Sequence, residues 1–365
     1  MADTRFYPLS IADVHPETDT AICITFAVPE ELRETFRFKQ GQFLTLRADI
    51  DGEDVRRSYS ICSGVADGHM RVGIKRVRGG RFSNYANDHF RVGDRVEVMP
   101  PQGSFYTEVE ASQAKNYMCI AAGSGITPIL SIIKTVLHEE PDSRVTLVYG
   151  NRRSHSVMFK DELGFIKNRY LGRFNWINVM NEEDQGSEVL NGRIDNAKGT
   201  RLHKSRLINL FATDEVFICG PESMMSEVSR GFRGVGFADE RIHYELFSNS
   251  AEDSEKMLEK AQQRIEQYGE EKTSKVTVIA DGRAISFDLA TVGENILDAG
   301  MHNGLELPYS CKAGVCSTCK AKLVKGKVDM DIAHGLEAHE VEAGYILTCQ
   351  AHPLSDEVVV DFDQR

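Results

Sequence analysis

The spacing of four cysteines constrains this chain more than any other feature. Cys311, Cys316 and Cys319 stand as C-x4-C-x2-C, and Cys349 follows thirty residues after the last of them. This is the ligand pattern of a plant-type [2Fe–2S] cluster. Two irons need four thiolates reached from one side of a loop, and the loop must wrap closely enough for backbone N–H groups to point at the sulfurs. Ala313, Gly314, Ser317 and Thr318 fill the intervals with small side chains that permit such an approach. The alternative is a structural zinc site, but those usually present two C-x2-C-type pairs. Here there is one pair, with a third thiolate five residues before it. The remaining cysteines, Cys23, Cys62, Cys119 and Cys219, are scattered singly among apolar residues, so no disulfide framework is expected.

Composition places that motif in a larger frame. At 365 residues the chain exceeds what one hydrophobic core usually serves, which predicts two or three domains. A hydrophobic content of 41% fits packed globular structure. The net charge of −12 excludes a general polyanion binder, nucleic acid included. Residues 275–365 hold 8 basic and 14 acidic side chains, so half of the net charge lies on the last quarter of the chain. An acidic terminal piece suits a separate module with its own partner, although a solvated acidic face is the commoner explanation. The N-terminus lacks the apolar core of a signal peptide, which points to the cytoplasm. The uncharged stretch 116–133 is long enough to span a membrane, but Gly123, Ser124, Gly125, Thr127 and Pro128 divide it into strand, loop and helix. No membrane segment is expected.

Four segments follow along the chain. Residues 1–110 carry short strands at 21–28, 43–47, 58–62, 70–77 and 95–99 with turn residues between them, which predicts an antiparallel β-barrel. In 111–247, apolar strands at 117–122, 144–149 and 216–219 alternate with helical stretches, the pattern of an α/β domain with a parallel sheet. Residues 248–274 are highly charged; Leu258, Ala261, Ile265 and Tyr268 make one weak apolar stripe on a solvated linker helix. Residues 275–365 begin with a hairpin around Asp281-Gly282, continue with a helix behind the capping pattern Thr291-x-x-Glu294, and end in further strands, as a β-grasp domain does.

Three further sites carry chemistry. Arg57-Ser58-Tyr59-Ser60 would mean little alone, but Gly79-Gly80 leads into a helix with Ser83 in its first turn. Free N–H groups and the helix dipole stabilise a pyrophosphate there. Arg57 adds a positive contact and Tyr59 a flat face for a flavin ring. Between a strand and a helix, Gly123-Ser124-Gly125-Ile126-Thr127-Pro128 permits close backbone approach of a nicotinamide nucleotide. The next strand ends at Arg152-Arg153, where an acidic residue would favour NAD and arginines suit the 2′-phosphate of NADP(H). Cys219-Gly220-Pro221 ends another parallel strand, where ligands gather; Cys219 either approaches the nicotinamide or is an inert buried thiol. Glu245 and Phe247 sit at the end of the α/β domain, where an ordinary last strand is the plain reading. His334 and His339 lack metal spacing and read as surface residues.

At these residues the chain resembles the ferredoxin–NADP reductase superfamily joined to a C-terminal plant-type ferredoxin domain. The resemblance implies an FAD-binding barrel, an NADP-binding α/β domain and a [2Fe–2S] module. It implies that Arg57 meets the FAD pyrophosphate, Tyr59 stacks on the isoalloxazine, Ser60 approaches N5 and Ser83 adds a pyrophosphate contact. It assigns Gly123 to Pro128 and Cys219 to Pro221 to the nicotinamide half, and Glu245 and Phe247 to a Glu-x-Phe element beside the flavin. Tyr149-Gly-Asn-Arg152, Phe217-Ile-Cys-Gly-Pro221, Leu307-Pro-Tyr-Ser-Cys311 and Ala343-Gly-Tyr-Ile-Leu-Thr-Cys-Gln350 resemble reductase components of multicomponent oxygenases. That implies an NAD(P)H-dependent electron-transfer enzyme whose partner is an oxygenase, a di-iron one in first place and a Rieske one in second. From a different class, a zinc-stabilised interaction module on a non-catalytic flavoprotein is the alternative.

Overall fold

The computed structural model describes residues 3–247, 251–269 and 272–364, and they form two compact units. One takes in residues 5–55 and 59–245; the other takes in 1–4, 56–58 and 246–365.

The first sheet comprises β1 (Tyr7–Thr18), β2 (Ala21–Ala27), β3 (Phe43–Ile50), β4 (Glu53–Ser60), β5 (Met70–Lys75) and β6 (Arg95–Gln102). Their order is β4-β3-β6-β1-β2-β5. An antiparallel bridge from Ile61 to Val72 joins the chain after β4 to β5, so the two edges meet and the barrel closes. Period-2 alternation sends Met70, Val72 and Ile74 inward against Leu9, Leu44 and Leu46. Helix α1 (Arg81–His89) adds Phe82 and Ala86 to that core. Strand β1 was not visible in the sequence because Pro8, Pro16 and the polar run Asp13 to Glu17 hide its alternation; the register shifts at Pro16.

The second sheet holds β7 (Asn116–Ala122), β8 (Arg144–Asn151), β9 (Phe174–Met180), β10 (Glu215–Cys219) and β11 (Ile242–Glu245), in the order β11-β10-β7-β8-β9 with every pairing parallel. Helices α2 (Ile126–Glu139), α3 (Lys160–Arg169), α4 (Asn196–Lys204) and α5 (Glu222–Gly234) connect them. The chain runs outward from β7 to β9 and then returns to the other side of β7 with β10. That reversal opens a crevice beyond the carboxyl ends of β7 and β10, the place where open α/β sheets bind ligands.

The second unit contains α6 (Ala251–Tyr268), a five-stranded sheet and a two-stranded one. In chain order its strands are β12 (Thr273–Ala280), β13 (Arg283–Ala290), β14 (Lys320–Lys325), β15 (Val328–Met330), β16 (Tyr345–Leu347), β17 (Ala351–Pro353) and β18 (Glu357–Asp361). The sheet runs β13-β12-β18-β14-β16, and β15 pairs with β17 apart from it. Helix α7 (Ile296–His302) crosses the sheet, and α8 (Ala338–Glu342) is a single turn and a half. The first hairpin turns through Asp281 (φ 50°) and Gly282 (φ 70°), the geometry that selects Asp-Gly.

One expectation is corrected here. Thr291-x-x-Glu294 does not cap α7: Gly293 has φ +107°, so the chain turns instead of winding, and Asn295 caps the helix by accepting the Asp298 N–H at 2.9 Å. In the charged helix Leu258 is 73% exposed, Ala261, Ile265 and Tyr268 are partly buried, and Arg264 is buried at 4%. Among the described residues no helix is long and apolar enough to cross a membrane.

Candidate functional site

The cysteine loop lies between α7 and β14, with Cys349 at the end of the short stretch after β16. Cys316, Cys319 and Cys349 are buried, Cys311 partly so, and all are free thiols. They meet in two pairs: Cys311 hydrogen-bonds with Cys316, and Cys319 with Cys349. Backbone follows the sulfurs closely. The Ala313 N–H donates to Cys311 Sγ at 3.3 Å, and the Cys311 N–H points at Cys316 Sγ at 3.5 Å. Left-handed backbone at Lys312 (φ 52°), Gly314 (φ 71°) and Ser317 (φ 56°) wraps the loop this tightly. At Gly314 a Cβ would lie 2.8 Å from the Ile332 carbonyl, so only glycine fits. The hydrogen bond from Cys316, aided by the N–H groups of Ala313, Val315 and Cys316, holds the Cys311 thiol below its usual range against the effect of burial. The hydrogen bonds to Cys311 and to Cys319, and then burial, push the Cys316 and Cys349 thiols up. Four thiolates so close would repel one another, and cationic iron would supply the compensation. The donor set fits a [2Fe–2S] cluster.

On the barrel, β4 carries Arg57, Ser58, Tyr59 and Ser60. Tyr59 lies beside Phe82 of α1, with ring centroids 5.7 Å apart, which brings this strand to the glycine pair before the helix. Gly80 precedes α1 without a side-chain cap, leaving first-turn N–H groups for an anion. A Cβ at Gly80 would stand 2.7 Å from Ser83 Oγ. The Ser83 hydroxyl is engaged locally, accepting the Val77 N–H at 3.1 Å, and so shapes the turn. Arg57 is exposed, and its guanidinium donates to the Arg56 carbonyl.

The crevice of the parallel sheet gathers the other predicted residues. Tyr149, Ala121, Cys219 and Glu245 form one row across β8, β7, β10 and β11. Ser60, at the end of β4, donates to Glu245 Oε2 at 3.0 Å, tying the barrel to this row. Burial pushes the Glu245 carboxyl up to about 8, although the bond from Ser60 opposes the shift. Cys219 is fully buried, and desolvation raises its thiol far above the usual range, the state of an inert thiol. At Gly125 a Cβ would sit 2.2 Å from the Cys219 carbonyl, so glycine is what lets the β7 loop and β10 close together. Tyr149 Oη donates to the Gly123 carbonyl at 2.9 Å and Thr127 Oγ1 to the Ser124 carbonyl at 3.0 Å, fixing the turn before α2. Pro221 stands immediately before α5, and a Cβ at Gly220 would meet Met224 and Ala122.

Arg152 and Arg153 follow β8, exposed, each with Nε within 4 Å of the Glu182 carboxylate. Phe247 lies past β11, exposed, and belongs to the second unit. Two residues of the crevice escaped sequence reasoning. Lys75 ends β5 with Nζ 3.8 Å from where a Gly123 Cβ would stand; burial, with Arg152 nearby, lowers its pKa. Its sole sequence signal was a polar place in an alternating strand. Tyr149 looked like strand core, and only the parallel register sets its hydroxyl over the glycine turn.

Barrel, nucleotide crevice and thiol loop together define a flavin- and nicotinamide-nucleotide-binding oxidoreductase with an iron–sulfur domain. Models of known families match the same three segments: an oxidoreductase FAD-binding domain over 11–106, an oxidoreductase NAD-binding domain over 119–230 and a 2Fe-2S iron-sulfur cluster binding domain over 278–354. The chain is 45% identical over 362 residues to one of the subunits of 1,2-phenylacetyl-CoA epoxidase from Escherichia coli (strain K12), covering 99% of both chains. It is 32% identical over 361 residues to the ferredoxin reductase component of 3-ketosteroid-9-alpha-monooxygenase from Rhodococcus rhodochrous, covering 98% of this chain and 97% of that one. The solved structure of phthalate dioxygenase reductase shares the fold, with a TM-score of 0.58 at 23% identity over 98% of both chains. The chain belongs to the ferredoxin–NADP reductase superfamily, among the reductase components of oxygenases that carry a C-terminal plant-type ferredoxin domain.

Proposed function

We propose that this chain is the NADPH-dependent reductase component of a di-iron epoxidase acting on phenylacetyl-CoA, working in the cytoplasm. The observation that carries the choice of partner is the 45% identity to a phenylacetyl-CoA epoxidase component over essentially the whole of both chains. When bound, FAD accepts the hydride as an electron pair and the cluster passes electrons on singly. The chain's own residues bind, orient and manage protons. Arg57 and the first turn of α1, framed by Gly80 and Ser83, take the FAD pyrophosphate, with Ser58 beside them. Tyr59 offers its ring to the isoalloxazine. Ser60 and Glu245 are held 3.0 Å apart at the mouth of the crevice, where a carboxyl with a pKa near 8 can hold a proton at neutral pH. Phe247 is the aromatic residue of the Glu-x-Phe element.

Gly123, Ser124, Gly125, Thr127 and Pro128 accommodate the nucleotide backbone, and Cys219, Gly220 and Pro221 the nicotinamide. Lys75 adds a positive charge above the turn. Arg152 and Arg153 meet the 2′-phosphate: their exposed pairing with Glu182 is weak and yields to a doubly charged group. Glu182, two residues past the end of the neighbouring strand β9, favours a second reading, NADH, because a carboxylate beside these arginines suits a ribose hydroxyl. Cys311, Cys316, Cys319 and Cys349 ligate the irons.

Anaerobic titration with NADPH and then NADH, followed optically and by electron paramagnetic resonance, separates the readings. Flavin bleaching at lower NADPH than NADH, followed by a [2Fe–2S] signal, is the expected result. A protein with zinc and no iron would sink it. Turnover with the phenylacetyl-CoA epoxidase oxygenase, and none with a Rieske oxygenase, identifies the partner.

A further inference from the structure

The charged helix α6 has no role in the reading above, yet it buries a charge, Arg264, against carboxylates. The Arg264 side chain is 5% exposed, and its Nη1 lies 2.6 Å from Asp329 Oδ2 and 2.7 Å from Asp331 Oδ1. One turn earlier, Lys260 Nζ reaches Asp329 at 3.2 Å and the Met330 carbonyl at 2.5 Å. Asp331, itself 8% exposed, also accepts from the buried His352 at 3.0 Å. Across β15 and β17, Asp329 stands directly opposite His352. Two basic side chains of the helix therefore close on three consecutive residues, 329–331.

Those residues begin a strap that backs the cysteine loop. The Asp331 N–H donates to the Gln350 carbonyl at 2.9 Å, one residue past Cys349. Gln350 Nε2 donates to the Lys312 carbonyl at 3.1 Å, one residue past Cys311. The Gly335 N–H donates to the Gly314 carbonyl at 2.8 Å, and the Ser317 hydroxyl donates back to Gly335. The strap thus touches the loop on both sides of the thiols, and α6 grips its near end. Burial alone pushes the Asp331 carboxyl up, but the bonds from His352 and Arg264 outweigh it and hold the group ionised.

We propose that Arg264 is a positioning residue for the cluster loop, clamping the strap 331–336 through Asp329 and Asp331 and balancing their negative charge where the strap begins. The helix is then part of the cluster-binding module and not a spacer. This rests on the [2Fe–2S] reading. An electron added to the cluster is disfavoured by nearby carboxylates and favoured by a nearby guanidinium. Removing Arg264 should move the midpoint potential to more negative values. Removing one carboxylate should move it the other way.

The test uses the full-length holoprotein and its R264M, R264K and D331N forms, with the cluster potential read by redox titration under electron paramagnetic resonance. R264M is expected to shift negative and to release iron to a chelator several-fold faster, R264K to stay nearer the wild-type potential, and D331N to shift positive. A merely structural clamp would not give shifts of opposite sign. Wild-type potentials in R264M and D331N would overturn the proposal; if R264M does not fold, the sign of the D331N shift decides alone. Absence of any [2Fe–2S] signal in the wild type would instead defeat the cluster reading on which this one stands.

Discussion

Gly125 shows how much one missing methyl group can decide. With a Cβ 2.2 Å from the Cys219 carbonyl, the β7 loop and β10 could not approach as they do. The G125A form is expected to lose about 1–3 kcal/mol of stability, the usual cost of overpacking, and to bind nucleotide at least tenfold more weakly. Denaturant unfolding and a nucleotide titration check this. Glu245 makes a prediction with a sign. Its native carboxyl titrates near 8, well above the ordinary glutamate value. Between about pH 4.5 and 8 the native state therefore keeps a proton that the unfolded chain has released. Stability contributed at acid pH is lost as the pH rises through that window. The E245Q form should lack this fall, and unfolding measured at pH 5 and pH 9 should show it; parallel profiles would contradict the assignment. The residue types at both positions were plain in the sequence. Their roles were not, because the partners, a carbonyl on β10 and a hydroxyl on β4, come from distant parts of the chain.

At the scale of elements, the sequence showed where chain direction changes and missed what holds the ends. The Asp281-Gly282 hairpin was legible because positive φ at both positions leaves few residues to choose from. The start of α7 was misread for the same kind of reason: Gly293 at φ +107° breaks the capping box, and Asn295 takes over. Replacing Asn295 by alanine is expected to cost about 1 kcal/mol, the value of a lost cap. Replacing Thr291 by valine should cost little or stabilise, since its buried hydroxyl has no hydrogen-bond partner among the described residues. Thermal melts of the two forms give the comparison; equal losses would restore the capping box. Helix α6 taught a similar lesson. Its hydrophobic periodicity was real, but Leu258 faces solvent and Arg264 faces the strap. A periodicity count gives a buried arginine no weight.

For the whole molecule, three sites are carried by two compact units, and the loss of one need not abolish the others. Changing Cys349 to serine is expected to remove the [2Fe–2S] spectrum while NADPH still bleaches the flavin; loss of both would mean that the units do not fold independently. The acidic surplus at 275–365 would make encounter with a partner of opposite charge salt-sensitive. Raising ionic strength from about 0.01 M to about 0.15 M shortens the screening length from roughly 30 Å to roughly 8 Å. Transfer to the oxygenase should slow several-fold over that range while hydride reduction of the flavin changes little, as stopped-flow traces at the two salts would show. What the sequence by itself determined was the chemistry that local spacing can encode: the thiol loop, the glycine turns, the alternation of strands and helices. The tertiary structure alone decided which distant groups meet, namely Ser60 with Glu245, Lys75 with the Gly123 turn, and Arg264 with Asp329 and Asp331. The physical reason is that a thiol pattern or a positive-φ turn is satisfied within a few residues, whereas the burial and charge of a polar side chain depend on whatever the fold brings beside it.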